Sequence, residues 1–127
     1  MNKKILVVED HPDIQYILSE VIEDIYGEIK VEHALDGEHA LKILGKDKDF
    51  YLIFMDIMMP GINGIEIAKG IRQNKDLKEI PLVFFTATTD PKMLSQAKEL
   101  GDEVIIKPFD IEDIRKILKR YIGGDQK

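Results

Sequence analysis

The 127-residue sequence contains no cysteine, which excludes disulfides, thiolate metal sites and cysteine nucleophiles. Positive charge is also in deficit. The 18 Lys and Arg stand against 24 Asp and Glu, a net charge of −6, so a broad electrostatic grip on nucleic acid or anionic lipid is disfavoured. The opening MNKKILVVED has an apolar run of only four residues that ends in two acids, and is neither a signal peptide nor a membrane span. Neither standard glycine-rich phosphate motif occurs. No linker, low-complexity tract or obvious repeat interrupts the chain. A soluble, cytoplasmic protein is expected, with no direct nucleic-acid partner and no membrane partner.

With 44% hydrophobic side chains, the length suits one domain with a real core. Short apolar runs at residues 3–8, 29–34, 50–55, 82–86 and 103–106 are mostly β-branched or aromatic and read as strands buried on both faces. Helical periods lie between them. Ile14, Ile17, Leu18, Val21, Ile22 and Ile25 follow a three-four spacing that puts all six on one stripe. Ile111, Ile114, Ile117, Leu118 and Tyr121 repeat the pattern at the end of the chain. Asn63 with Glu66, Asp90 before Pro91, and Asp110 with Asp113 read as helix starts. Strand then helix, five times over, predicts a doubly wound α/β fold: a five-stranded parallel sheet, right-handed crossovers, and helices on both faces.

In an open parallel sheet, ligands bind beyond the carboxyl ends of the strands. Glu9 and Asp10 end the first strand, Asp56 the third and Thr86 the fourth; Lys107 and Pro108 end the fifth. Alone, each is ordinary: acids cap helices, threonine suits strands, and a lysine is usually solvated. Together they place five polar groups at the ends of four otherwise apolar strands, which chance rarely does. Three carboxylates near one point repel one another unless a cation neutralises them, and magnesium, with its preference for carboxylate, water and phosphate oxygens, is the natural ion. Thr86 and Lys107 then suit phosphoryl oxygens, and Asp56 is the central candidate for a carboxylate nucleophile that forms an aspartyl phosphate.

Four motifs in order, ILVVEDHPDI, FMDIMMPGINGIE, FTA and IIKPF, closely resemble the receiver domains of two-component response regulators over residues 3–121. The resemblance implies the flavodoxin-like or CheY-like strand order 2-1-3-4-5, a receiver domain over residues 1–122 and a flexible tail over 123–127. It implies that Asp10 binds Mg2+ directly, that Glu9 helps through water, and that Asp56 and the backbone carbonyl of Met58 complete the protein ligands. Asp56 would take the phosphoryl group from a histidine kinase or a histidine phosphotransfer protein. Lys107 would pair with that group, the Lys107–Pro108 bond would be cis, and Thr86 would swing inward. Met58 and Thr88 would flank the site and influence phosphoryl lifetime. The signal would pass to a separate output protein, or onward in a phosphorelay; constitutive binding by a degenerate receiver is the alternative. The family is a phosphoacceptor class rather than an enzyme in the turnover sense.

Two departures bear on output. Val104 stands where the family usually carries an aromatic residue, three positions before the lysine, and the stretch from Gly101 to Lys107 is one residue shorter than usual. Val104 is expected to report phosphorylation weakly, or another element to do so. Two rival classes share parts of the pattern. A flavodoxin-like electron carrier is opposed by the acid pair after the first strand. An aspartyl-phosphate phosphohydrolase normally needs an acid two residues beyond its nucleophile, where this chain has Met58. His11, His33 and His39 have no common ligand spacing, and only His11, beside the acid pair, merits a test. Arg115, Lys116, Lys119 and Arg120 are explained by the helix dipole without a partner.

Overall fold

A computed structural model describes residues 4–123. The elements alternate throughout: β1 (Lys4–Val8), α1 (Pro12–Ile25), β2 (Lys30–Ala34), α2 (Gly37–Lys46), β3 (Phe50–Asp56), α3 (Gly64–Gln73), β4 (Leu82–Thr86), α4 (Pro91–Leu100), β5 (Glu103–Ile106) and α5 (Ile111–Tyr121). All strand pairs are parallel, in the order β2-β1-β3-β4-β5. The expected doubly wound sheet is therefore present. The expected first strand residue, Lys3, and tail residues 124–127 lie outside the described residues.

Side-chain alternation along the central strands feeds two cores, one on each face of the sheet. Ile5, Val7, Leu52, Phe54, Val83 and Phe85 pack against α1 and α5. Leu6, Val8, Ile53, Met55, Leu82 and Phe84 pack against α2, α3 and α4. Burying one such side chain contributes about 2 kcal/mol, which is why, beyond Lys4 and Tyr51 near the starts of β1 and β3, the interior strands carry no polar residue before their carboxyl ends. The edge strands are wetter: β2 and β5 are only partly buried, unlike the expectation from their composition. The second strand starts at Lys30 because Ile29 is held in a turn by its backbone bond to the Tyr26 carbonyl.

Three expected helix starts are present, with the side chains of Asn63, Asp90 and Asp110 accepting from backbone amides of the first turn. Asp110 and Asp113 form a reciprocal capping box. The stripe on α1 is narrower than expected. Leu18, Val21 and Ile22 are buried, but Ile17 is 46% exposed, because it lines an open groove shared with Phe109 and Ile111 at the start of α5. On α5, Arg120 pairs with Glu103 and Arg115 with Glu112, so two of the four cations have local partners. No described helix is long and apolar enough to cross a membrane.

Arg72 has no signature in the sequence, yet it ties together four chain segments. Its Nε donates to the Leu100 carbonyl at 2.7 Å, and Nη1 to the carbonyls of Lys78 and Ile80 at 2.8 and 2.9 Å. Its Nη2 meets Asp102 Oδ2 at 3.1 Å, and that oxygen also accepts from the Leu82 amide. The fork thus joins the end of α3 to the start of β4 and the end of α4. Arg72→Ala leaves three carbonyls to find other donors and is expected to lower stability by about 2 kcal/mol in urea denaturation, whereas a surface arginine would cost almost nothing.

Candidate phosphoacceptor site

The carboxyl ends of β1, β3, β4 and β5 bring Glu9, Asp10, Asp56, Thr86 and Lys107 to one edge of the sheet. Lys107 Nζ lies between two buried carboxylates, 3.0 Å from Glu9 Oε1 and 3.3 Å from Asp56 Oδ2. Its ammonium also stands 5.1 Å from the centre of the Phe85 ring. Asp56 Oδ1 accepts from the Met58 amide at 3.2 Å. Thr86 is fully buried, and its Oγ1 accepts from the Thr88 amide at 3.1 Å, leaving the hydroxyl proton to be donated elsewhere. The Lys107 amide bonds the Thr86 carbonyl at 2.8 Å, and the Lys107–Pro108 peptide is cis, as expected.

Asp10 is different from the other acids. Its Oδ1 is buried and has no hydrogen-bond partner. Unpartnered buried carboxylate oxygens are costly, and a cation is the usual remedy. One ligand atom each from Glu9, Asp10, His11 and Asp56 lie within 4.8 Å of one another. The orphaned oxygen and the carboxylate donor set both fit a hard divalent ion. Met58 sits half-exposed at the rim, two residues after Asp56.

The charges of the pair are unequal. Burial drives the Asp56 carboxyl up, the nearby Glu9 charge adds to this, and Lys107 offsets only part, so its pKa is pushed up to about 6. Burial also opposes the Glu9 charge, but the His11 ring and Lys107 outweigh it and hold Glu9 below the ordinary carboxylate range. The hydrogen bond to Glu9, followed by the charge of Asp10, raises His11. Of the three histidines, only His11 joins this cluster: the His33 ring contacts Ser19 and Gln15, and the His39 ring contacts the Leu35 amide.

Two residues that shape the site went unread in the sequence. Gln15 Nε2 lies 3.0 to 3.1 Å from the carbonyls of Val7, Glu9 and Ala34, and so holds the end of β1 against β2. A glutamine inside the apolar stripe of α1 was the available signal. Gly64 opens α3 close against the end of β3: a Cβ there would lie 2.3 Å from the Asp56 carbonyl oxygen. Val104 packs against the α4 side of the core, while Ile106 is the register partner of Thr86 and is 46% exposed.

The sequence profile of the response regulator receiver domain matches residues 5–119. The chain belongs to that receiver family. It is 36% identical over 124 residues to sporulation initiation phosphotransferase F of Bacillus subtilis, with 96% of this chain and 95% of the relative covered. It is 32% identical to chemotaxis protein CheY-3 of Vibrio cholerae, with 94% and 91% covered. Among solved structures, response regulator TrrA of Thermotoga maritima in complex with Mg2+ and BeF has a TM-score of 0.81 at 31% identity, with 94% of this chain and 99% of that one covered. Vibrio cholerae CheY4 has a TM-score of 0.83 at 30% identity, with 96% and 100% covered. The chain is thus a receiver domain of the kind used in two-component signalling.

Proposed function

We propose that this receiver accepts a phosphoryl group on Asp56 from the phosphohistidine of a histidine kinase or histidine phosphotransfer protein, and that the phosphorylated form binds a separate output protein differently. The observation that carries this reading is the placement of Asp56: buried at the end of β3, 3.3 Å from Lys107, and clustered with Glu9 and Asp10. A magnesium ion would be held by Glu9, Asp10, Asp56 and the backbone carbonyl of Met58. When bound, it would neutralise the clustered carboxylates and the charge on the transferring phosphoryl oxygens. That a relative was solved with Mg2+ and BeF supports the assignment.

The carboxylate of Asp56 attacks phosphorus, the phosphorus–nitrogen bond of the donor breaks, and an acyl phosphate forms. Lys107 exchanges its contact with Asp56 Oδ2 for a phosphoryl oxygen, and the Thr86 hydroxyl proton supplies a second donor. Phosphate then acts as a ligand that favours one arrangement of the loops around Thr86 and Lys107 over another. An apolar groove lined by Ile14, Ile17, Pro108, Phe109 and Ile111 borders Lys107, suiting a site that must meet a protein partner. The receiver unit is taken as residues 1–122, with residues 123–127 as a tail, and its setting as the cytoplasm. A relay role, with the group passed on to another histidine, is the second reading, favoured by the similarity to a sporulation phosphotransferase.

Intact mass spectrometry after incubation with acetyl phosphate and magnesium tests the acceptor. One phosphoryl adduct is expected, lost on chelation and absent from Asp56→Asn. An adduct that persists in Asp56→Asn, or sustained turnover of a phosphomonoester by the pure protein, would overturn the assignment; the latter would revive a phosphohydrolase.

A further inference from the structure

Strand pairing between β1 and β2 stops at Val8 and Ala34, and α1 starts at Pro12, so Glu9, Asp10 and His11 cross a gap with little ladder to hold them. Gln15 closes that gap from the first turn of α1. Its side chain is buried, and Nε2 reaches back to the Val7 and Glu9 carbonyls at 3.0 and 3.1 Å and across to the Ala34 carbonyl at 3.0 Å. The Ala34 carbonyl also accepts from the Glu9 amide, at 3.0 Å. Chemistry fixes which way the Gln15 amide points. Three carbonyls can accept only from its NH2 end, so Oε1 is the atom that meets the His33 ring, and His33 Nδ1 must donate to it. His33 Nε2 is then free to accept from the Ser19 hydroxyl, 3.1 Å away. His33, on the edge strand β2, thus holds the Gln15 amide in its working orientation.

We infer, resting on the cation site proposed above, that Gln15 is a positioning residue for that site, itself set in place by His33. It holds the backbone of Glu9 and Asp10 where their carboxylates face Asp56, and so governs how tightly the pocket binds magnesium. The need is electrostatic. Without a cation the clustered carboxylates repel one another, and a short segment free to turn would carry them apart. Asp10 is the most dependent on its backbone, because its buried Oδ1 makes no hydrogen bond that would fix the side chain. A ligand atom already in place loses little freedom when the ion arrives, so the strut is repaid as affinity rather than only as stability. Arg72 offers a contrast within the same fold. It joins the amino end of β4 to the ends of α3 and α4, at the opposite edge of the sheet, and touches nothing near the acids.

Isothermal titration of the full chain with magnesium chloride, paired with urea denaturation in the absence of magnesium, tests this. Gln15→Met keeps the reach of the side chain but removes the amide, and is expected to weaken magnesium about tenfold, the size of loss met when residues that orient metal ligands are removed. His33→Ala should give a smaller loss in the same direction. His33→Asn, whose amide nitrogen can stand in for Nδ1, should recover it. Arg72→Ala is expected to lower stability with the magnesium constant unchanged, which separates positioning from a general loosening of the fold. Gln15→Met binding magnesium as the wild type does would overturn the inference, and so would Arg72→Ala weakening magnesium as much for the same loss of stability. Should Gln15→Met fail to fold, the His33 pair decides: His33→Ala at wild-type affinity, or no recovery in His33→Asn, overturns it. In each of those cases, magnesium binding that is lost in Asp10→Asn leaves the cation-site reading intact; a wild-type chain that binds no magnesium would sink both.

Discussion

Lys107→Met destabilises the cation-free protein at neutral pH by about 3 kcal/mol, and magnesium restores most of the loss. Lys107 is the ammonium shared by Glu9 and Asp56, whose side chains are 0% and 3% exposed. Methionine keeps most of the apolar stem but leaves two carboxylates facing each other in low dielectric. The cost stops short of a full buried-charge penalty because Asp56, already raised, takes up a proton as its pKa climbs further. A divalent ion bound by the same acids replaces the missing positive charge. Urea denaturation with and without magnesium measures both parts. A loss of equal size in the two conditions would mean that the lysine acts through packing and its approach to the Phe85 ring rather than through neutralisation. The same variant is expected to accept phosphate slowly, since one donor to the phosphoryl oxygens is gone.

The parts of this molecule legible in advance are those that depend on the direction of the chain. In a parallel sheet every strand ends on the same edge, so Glu9, Asp10, Asp56, Thr86 and Lys107 could be gathered from separate places in the sequence by counting strands alone. Caps were legible for a similar reason: Asn63 and Asp110 act within three residues of themselves. What stayed hidden was set by long-range packing. Arg72 meets Leu100 and Asp102 only because α3, β4 and α4 come together in space. Gly64 is required by the approach of α3 to the Asp56 carbonyl, which no local pattern records. Ile17 belongs to the periodic stripe on α1, yet is half uncovered, because where a helix rolls on a sheet is decided by its neighbours. The Thr86 neighbourhood shows the same limit: register, not spacing from the lysine, makes Ile106 its strand partner.

Asp56→Asn is expected to stabilise the cation-free protein above pH 6 while abolishing its ability to carry phosphate. Asp56 has an ordinary value of 3.8 when unfolded and about 6 when folded. Between those values the folded chain holds a proton that the unfolded chain has released, so stability falls as pH rises through that window and levels off above it. A shift of this size corresponds to at most about 3 kcal/mol. Asparagine has no charge to bury, but it forfeits the contact with Lys107 and leaves that ammonium to Glu9 alone, so a net gain of about 1–2 kcal/mol at pH 7 is the expected balance. Thermal or urea unfolding across pH 4 to 8 shows it as a flattened slope between pH 4 and 6. Magnesium should stabilise the wild type more than the variant, because binding to the folded state adds stability in proportion to its affinity there. A variant that is less stable than the wild type at pH 7, with an unchanged slope below pH 6, would show that Asp56 is ionised at no cost in the folded chain. The Lys107 pairing would then outweigh burial. In the expected case Asp56 is a carboxylate kept at a cost to the fold, and under the proposed function relief of that cost by a cation or by conversion to an acyl phosphate would couple the chemistry of the site to the arrangement of the surrounding loops.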